Sequence, residues 1–183
     1  AMYDINVEEV KQRGWVRIPN IIPELPDHDP HQWFQPEQMN YFDFPEPHTA
    51  YRLRQYSCAD ETFRKIYKGI NERLIECGLI EESWTNHQNP GLHELKGAFP
   101  NDQIPLHADI KHKAALTIFL NHDWEAEEGG WNLIIDNNGD TICTPPTYNL
   151  GVFYYTPLMH ATTAVWSHDL RRRTMQLFYG EEA

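Results

Sequence analysis

Apolar residues recur at helical spacing in one long stretch of the chain. From Asp60 to Cys77 they fall three or four positions apart, behind a capping aspartate and ahead of Gly78. This spacing predicts a helix over 60–77. A shorter helix is predicted at Val7–Gln12, ended by Gly14, whereas residues 19–47 hold seven of the thirteen prolines and are expected to be mainly loop.

After residue 90 the pattern changes to short runs of aromatic and β-branched residues, separated by turn signals such as Gly129–Gly130. Many short strands without intervening helices favour a sandwich or closed barrel over a parallel sheet. The sequence therefore predicts an α+β fold in a single domain over 1–183, with a loop- and helix-rich part (1–90) and a jelly-roll core (91–180). Residues 52–56 are expected to form an earlier strand. The other predicted strands are Leu92–Phe99, Ala114–Asn121, Trp131–Asp136, Leu150–Thr156 and Arg172–Tyr179.

Composition narrows the possible partners. The 183 residues suffice for one ordinary domain, and 40% of them are apolar, enough for a core. The net charge is −12, so the basic excess that binds nucleic acid or anionic membranes is lacking, and we expect neither partner. Three cysteines without a C-x-x-C pair argue against a disulfide framework and favour a reducing compartment, the cytoplasm.

Motifs of two other enzyme classes carry little weight. Ser167–His168–Asp169 has the residues of a hydrolase triad, but adjacent side chains point apart and a triad must converge through space. The sequence has no G-x-S-x-G, G-x-G-x-x-G or G-x-x-x-x-G-K-[ST] motif, so serine hydrolysis and nucleotide binding have no support. The acidic run Glu125–Glu128 is expected to be a solvated loop.

The informative residues are His107 and Asp109, followed by His160. Side chains two positions apart on an extended strand face the same way, about 6–7 Å apart, so His107 and Asp109 can bind one ion. A neighbouring strand of a barrel could bring His160 to it. Two imidazoles and one carboxylate on one face of an octahedron suit Fe(II) and leave three positions open. An H-x-D pair alone arises easily by chance in a chain with ten histidines, so its context decides its weight.

That context consists of further segments in a fixed order. With them, residues 92–180 resemble the double-stranded β-helix core of the Fe(II)- and 2-oxoglutarate-dependent oxygenases, closest to the prolyl-hydroxylase-like branch. The first 90 residues carry no matching motif. The matching segments are Leu106–Asp109, the strand Ala115–Asn121, the Gly-Gly turn Glu127–Gly130, the strand Leu150–Thr156 leading to His160, and Arg172–Thr174 with Phe178–Tyr179.

The resemblance implies roles for five residues. His107, Asp109 and His160 would bind Fe(II), Arg172 would pair with the distal carboxylate of 2-oxoglutarate, and Thr174 would add a hydroxyl. The implied activity is a dioxygenase that uses O₂ to hydroxylate a C–H bond of a small molecule, peptide or protein and converts 2-oxoglutarate to succinate. Asp109 favours hydroxylation over halogenation, because halogenating relatives lack that carboxylate so that chloride can bind iron.

Strand alternation predicts which of the consecutive arginines faces the cofactor. Arg172 shares one face with Thr174, Gln176 and Phe178, whereas Arg173 shares the other with apolar residues expected to pack against the helices. The sequence also departs from the family, since Phe119 stands where related hydroxylases often place a tyrosine against 2-oxoglutarate, and Trp131–Leu133 replaces an acidic residue and leucine after the Gly-Gly turn. Other side chains are expected to be exposed (His112, His122), to pack in the barrel (Tyr154, Tyr155, Trp166) or to flank the acidic turn near substrate (Trp124, Trp131).

Two other hypotheses remain open. One is a cupin-like metal enzyme that uses the same three ligands without 2-oxoglutarate, in which Arg172 and Thr174 would have no role. The other is a non-catalytic jelly-roll binding module in which His107 and His160 are structural.

Overall fold

The computed structural model describes residues 3–44, 51–97, 101–167 and 169–181. Within these residues the chain forms two α-helices and eleven strands, with short 3-10 helices between them. The elements are α1 (Val7–Arg13), β1 (Trp15–Ile18), β2 (Met39–Phe44), β3 (Tyr51–Tyr56), α2 (Glu61–Glu76), β4 (Gly91–Lys96), β5 (Ile104–His107), β6 (Ala114–Phe119), β7 (Asn132–Ile135), β8 (Thr141–Thr144), β9 (Gly151–Tyr155), β10 (Met159–Thr162) and β11 (Arg171–Tyr179).

The strands form two antiparallel sheets, an arrangement compatible with a jelly roll. The larger sheet has the order β1-β9-β6-β11-β4-β3-β2, and the smaller has the order β5-β10-β7-β8. Buried apolar side chains of both sheets, among them Phe119 and Tyr154 from the larger and Ile134 from the smaller, form one cluster between the sheets. The site described below lies on these inner faces.

Helix α2 covers the outer face of the larger sheet. Its first turn is capped by Asp60, whose Oδ1 accepts hydrogen bonds from the backbone N–H groups of Thr62 and Phe63. Behind its end, Gly78 has a positive φ of 86°, which glycine adopts without strain. The predicted helix is thus confirmed. Its buried residues pack in one core with the outward side chains of β11, namely Phe63, Ile66, Ile70 and Leu74 against Met175, Leu177 and Tyr179.

The first 90 residues contribute more strand than predicted. The expected strand over 52–56 is present as β3, but β2 lies where the sequence indicated loop, and β1 lies just before that region, where no strand was predicted. β1 pairs with β9, and the β2–β3 hairpin extends the sheet beyond β4. These strands gain their hydrogen bonds from distant partners, which local spacing of prolines and apolar residues cannot reveal. Several predictions fall on undescribed residues: Pro45, Pro47, the end of Leu92–Phe99, and His168.

One carboxylate on β4 neutralises two of the three consecutive arginines of β11. Glu94 is fully buried, and its oxygens lie 3.3 Å from Nη1 of Arg171 and 2.8 Å from Nε of Arg173. The Tyr56 hydroxyl donates a third contact at 3.1 Å. Because β11 alternates, this arrangement fixes Arg171 and Arg173 on the outer face and turns Arg172 inward.

No helix in the described ranges has the length and apolar character needed to cross a membrane.

Candidate active site

Three predicted ligand residues meet at the edge of the smaller sheet. His107 on β5 is directly opposite His160 on β10, and their ring centroids are 4.2 Å apart. Asp109 lies beside both, with Oδ1 3.6 Å from Nε2 of His107 and Oδ2 3.2 Å from Nε2 of His160. The three ligand atoms lie within 4.8 Å of one another, a spacing that could hold one metal ion. His160 is nearly buried, whereas His107 and Asp109 are partly open to solvent.

Both imidazoles are oriented by backbone carbonyls. Nδ1 of His107 is 2.7 Å from the oxygen of Pro105, and Nδ1 of His160 is 2.9 Å from the oxygen of Leu158. A carbonyl oxygen only accepts, so each Nδ1 carries the proton and each Nε2 presents its lone pair towards Asp109. Metal-binding histidines are typically held in this way, with the second nitrogen bonded to a carbonyl or carboxylate.

The strand positions differ in two details from the expectation. Strand β5 ends at His107, so Asp109 reaches the cluster from the segment that follows the strand rather than from its face. His160 lies not in a loop after β9 but within the next strand, β10, which pairs with both β5 and β7. The i, i+2 argument therefore predicted that His107 and Asp109 lie together, but it wrongly placed both of them on one strand.

A third imidazole borders the cluster. His112 was expected to be exposed, but its side chain is only 7% accessible, and its Nε2 lies 3.7 Å from Oδ2 of Asp109. That prediction was wrong because the residue folds inward against Phe178, with 4.7 Å between ring centroids. Burial alone would raise the pKa of Asp109, but the close approach of His160 and of the other two imidazoles outweighs it, and the pKa is lowered. Asp109 is therefore a carboxylate at neutral pH, as a metal ligand must be.

Arg172 lies on the inner face of the larger sheet and is 2% exposed. Its Nε donates to the carbonyl oxygen of Gly130 at 2.6 Å, and its Cζ lies 5.3 Å from the centre of the Phe119 ring. No carboxylate of the described residues forms an ion pair with it. Burial without a counter-charge lowers the pKa of Arg172 to about 9, still above neutrality. The interior thus contains a cation suited to an anionic ligand.

The Gly-Gly turn supports this arginine. Gly130 has a φ of 67°, and a Cβ atom at that position would lie 2.8 Å from Cδ of Arg172. Glycine is thus required both by the backbone conformation and by the close approach of the arginine. The two indoles that flank the turn donate into it, Trp124 to the oxygen of Gly129 and Trp131 to that of Ala126, each at 2.8 Å. Both tryptophans therefore have a structural role in this turn.

Thr174 is fully buried beside Arg172 on the same face of β11. Its hydroxyl accepts a hydrogen bond from Nε2 of Gln176, whose Oε1 accepts from the hydroxyl of Thr117, each at 2.9 Å. The predicted alternation of β11 is confirmed, since Met175, Leu177 and Tyr179 lie in the core with α2. Polar groups thus continue along the interior from Arg172 towards Phe178, which contacts the third imidazole, His112.

Among the aromatic predictions, Tyr154 packs in the interior as expected, with its ring centroid 4.8 Å from that of His160. Trp166 was expected to pack in the barrel, but it is 66% exposed, so that prediction was wrong. Sequence reasoning also missed two buried polar atoms on the inner faces, Oδ1 of Asn132 and Nε2 of His93, for which the described residues offer no hydrogen-bond partner. The sequence could have drawn attention to Asn132, because it lies in the unusual segment after the Gly-Gly turn. Nothing in the sequence distinguishes His93.

Solved structures with the same fold are numerous. A prolyl-4-hydroxylase from Pseudomonas putida matches with a TM-score of 0.71 at 11% identity, over 97% of this chain and 97% of that one. A prolyl hydroxylase from Trichoplax adhaerens, in complex with a hypoxia inducible factor peptide fragment, gives 0.75 at 13% identity, over 96% and 87%. An oxidoreductase of the 2OG-Fe(II) oxygenase family from Burkholderia pseudomallei gives 0.71 at 13% identity, over 100% and 94%.

The chain has the fold of the 2-oxoglutarate and Fe(II) oxygenases. The resemblance predicted from residues 92–180 is confirmed for the fold, and it extends over nearly the whole chain rather than its C-terminal half alone. No protein-family model and no curated protein sequence matches the chain. The likeness to 2-oxoglutarate and Fe(II) oxygenases, prolyl hydroxylases among them, therefore rests on three-dimensional structure and on the residues of the site.

Proposed function

We propose that this chain is an Fe(II)- and 2-oxoglutarate-dependent dioxygenase that hydroxylates a C–H bond of a protein, a peptide or a small amino-acid-like substrate. The observation that carries the proposal is the combination of His107, Asp109 and His160 at one point with Arg172 on the facing sheet, a buried cation without a counter-charge among the described residues. We further propose that residues 1–183 form one domain with a double-stranded β-helix core. The three unpaired cysteines support a reducing compartment, the cytoplasm.

The donor set fits Fe(II). Two neutral imidazole nitrogens and one carboxylate would occupy one face of an octahedral ion and leave the opposite face for other ligands. The carbonyl oxygens of Pro105 and Leu158 hold the imidazoles in the tautomer that can bind a metal. Tyr154 packs against His160 and keeps water from that side of the ring.

The interior also fits 2-oxoglutarate, a five-carbon dianion. The distal carboxylate would pair with the guanidinium of Arg172 and so supply the counter-charge that the described residues do not provide. Thr174 would offer its hydroxyl, and Phe119 would pack against the aliphatic part. When bound, Fe(II) and 2-oxoglutarate supply the oxidation by O₂ in which one oxygen atom enters the substrate C–H bond, and the other enters succinate as CO₂ is released.

The substrate class is proposed from the open side of the cluster and from the structural neighbours. The side chains of His107 and Asp109 are 39% and 29% exposed, so the ligands face an opening to solvent. One neighbour with this fold was solved with a peptide fragment bound, and two of the three are prolyl hydroxylases. We therefore favour a peptide or protein side chain as substrate over a nucleic acid, in keeping with the net charge of −12.

Two alternatives make different predictions. A cupin-like enzyme that uses the three ligands without 2-oxoglutarate would leave Arg172 buried without an anion, which is costly. A binding module without metal would give no reason for the side-chain atoms of His107, Asp109 and His160 to converge at one point. Neither alternative explains both halves of the site.

We expect 2-oxoglutarate to raise the melting temperature only when metal is present. A ligand that binds the folded state alone stabilises it by mass action, and a concentration about 100-fold above Kd should raise the melting temperature of a chain this size by roughly 5–10 °C. The measurement is thermal unfolding with Mn(II) under nitrogen, with and without 2-oxoglutarate. A metal-loaded protein that melts at the same temperature in both would favour the cupin-like alternative.

Turnover tests the activity itself. The protein with Fe(II), O₂ and 2-oxoglutarate should form succinate, and a true substrate from a panel of proline-containing peptides and free amino acids should accelerate succinate formation and gain one oxygen atom in mass. Succinate formation that does not depend on Fe(II) would contradict the proposal.

A further inference from the structure

Four inward-facing residues form one row across the larger sheet. Thr174 on β11 is paired with Phe119 of β6 on one side and with His93 of β4 on the other, and Gln55 of β3 follows His93. Residues paired across antiparallel strands point to the same face, so all four side chains lie on the face that carries Arg172. The row therefore crosses the site proposed for the distal carboxylate of 2-oxoglutarate.

Phe119 and His93 occupy the two sides of that site. Phe119 carries a phenyl ring, which cannot donate a hydrogen bond. On the opposite side of Thr174, Nε2 of His93 is buried and has no hydrogen-bond partner in the described part of the chain. A buried polar atom of this kind is costly unless a ligand satisfies it.

The space beside this nitrogen is kept open by a glycine. Gly91 precedes His93 on the same face of β4, and a Cβ atom at position 91 would lie 3.4 Å from Nε2 of His93. Gly91 has no positive φ, so the backbone conformation does not call for glycine there. A side chain at position 91 would therefore crowd both Nε2 of His93 and Nε2 of Gln55, which would lie 3.1 Å from the same Cβ atom.

His93 is also close enough to Arg172 for their charges to interact. Burial, and secondarily the guanidinium of Arg172, lower the pKa of His93 to about 4. The imidazole is therefore neutral at pH 7 and carries one ring N–H, which can donate without adding a second positive charge beside the arginine.

We propose that His93 binds the distal carboxylate of 2-oxoglutarate, donating a hydrogen bond from Nε2 on the side of Thr174 opposite Phe119. This inference rests on the proposed function and deepens it. It assigns to β4 the hydrogen bond that Phe119 of β6 cannot donate, so that the carboxylate is bound between a guanidinium and a neutral imidazole.

The test compares two ligands that differ only at the distal end. 2-Oxopentanoate has the same five-carbon chain and 2-oxo acid group as 2-oxoglutarate but ends in a methyl group. Binding of each is measured by calorimetry to the Mn(II)-loaded full chain under nitrogen, so that no turnover is required. We expect His93→Leu to weaken 2-oxoglutarate binding by roughly tenfold or more, since the lost hydrogen bond is to a charged group, and to change 2-oxopentanoate binding less than twofold.

Two matched variants separate this role from packing. His93→Gln retains a side-chain N–H donor and should restore most of the preference for 2-oxoglutarate, whereas exposed His87→Leu should leave both affinities unchanged. Equal weakening of both ligands by His93→Leu, or an unchanged 2-oxoglutarate affinity, would overturn the inference while leaving the proposed function standing. Failure of the unaltered protein to bind 2-oxoglutarate with metal would overturn both.

A measurement on the unaltered chain covers the case in which His93→Leu does not fold. With Zn(II) bound, the ring N–H signal of His93 in a proton–nitrogen correlation spectrum should move when 2-oxoglutarate is added and stay in place with 2-oxopentanoate. An identical response to both ligands would contradict a contact at the distal carboxylate.

Discussion

His160→Ala is expected to abolish turnover and to weaken Fe(II) binding by roughly 100-fold or more, because two remaining ligands cannot hold the ion against water. The same loss is expected for His107→Ala. In the native protein both imidazoles are held in place by backbone carbonyl oxygens, so we do not expect the remaining histidine to shift and compensate for the lost ligand. The measurement is Mn(II) affinity by electron paramagnetic resonance, with succinate formation as the second readout.

The control for this experiment has to be chosen with care. His112→Ala is unsuitable, because that ring lies 3.7 Å from the Asp109 carboxylate and its loss should disturb the cluster. His87→Ala is suitable, since His87 is exposed, and it should retain metal affinity and activity. Normal Mn(II) affinity in a folded His160→Ala protein would remove the basis for the metal site.

Arg172→Met is expected to raise the 2-oxoglutarate concentration needed for half-saturation at least tenfold, because a charge-assisted pair contributes about 1.5–3 kcal/mol. The same change should raise the melting temperature of the ligand-free protein. Burial lowers the pKa of Arg172 to about 9, so the folded state disfavours the charged form at every pH below that value, and methionine removes this cost. Calorimetric binding and thermal unfolding at pH 7 measure the two effects.

The neighbouring arginine provides the control. Arg171 lies on the same strand, is 49% exposed and contacts Glu94 on the outer face. Arg171→Met should leave 2-oxoglutarate binding unchanged. If Arg171→Met weakened 2-oxoglutarate binding and Arg172→Met left it normal, the interior arginine would not be the one that binds the cofactor.

The sequence contained enough to predict which residues meet at the candidate site, but not how the site is built. The ligand trio and Arg172 were identifiable, because short motifs in a fixed order resemble a known core and strand alternation is a local property. The carbonyl contacts of Pro105 and Leu158 were not, since they depend on how the chain bends two residues before each histidine. His112 and His93 were missed for a related reason, because their burial is decided by strands distant in sequence.

The fold shows the same division between local and distant information. Helix α2 follows directly from its capping aspartate and apolar spacing, and its bounds differ from the prediction by one residue at each end. Strand β1 could not be recognised from its four residues, because its partner β9 begins more than 130 residues later. Short strands of this kind are specified by the sheet that receives them rather than by their own sequence.

Glu94 also has a consequence for how the chain finds its pairing during folding. If β11 shifted by one residue against β4, Arg171 and Arg173 would turn inward together and Arg172 would turn outward, so that Glu94 would face one guanidinium instead of two. Two guanidiniums would then be buried in the interior in place of one, so the shifted pairing is disfavoured. The outer-face carboxylate thus acts as a selector of strand register, and through it decides which of three identical side chains is presented to the ligand.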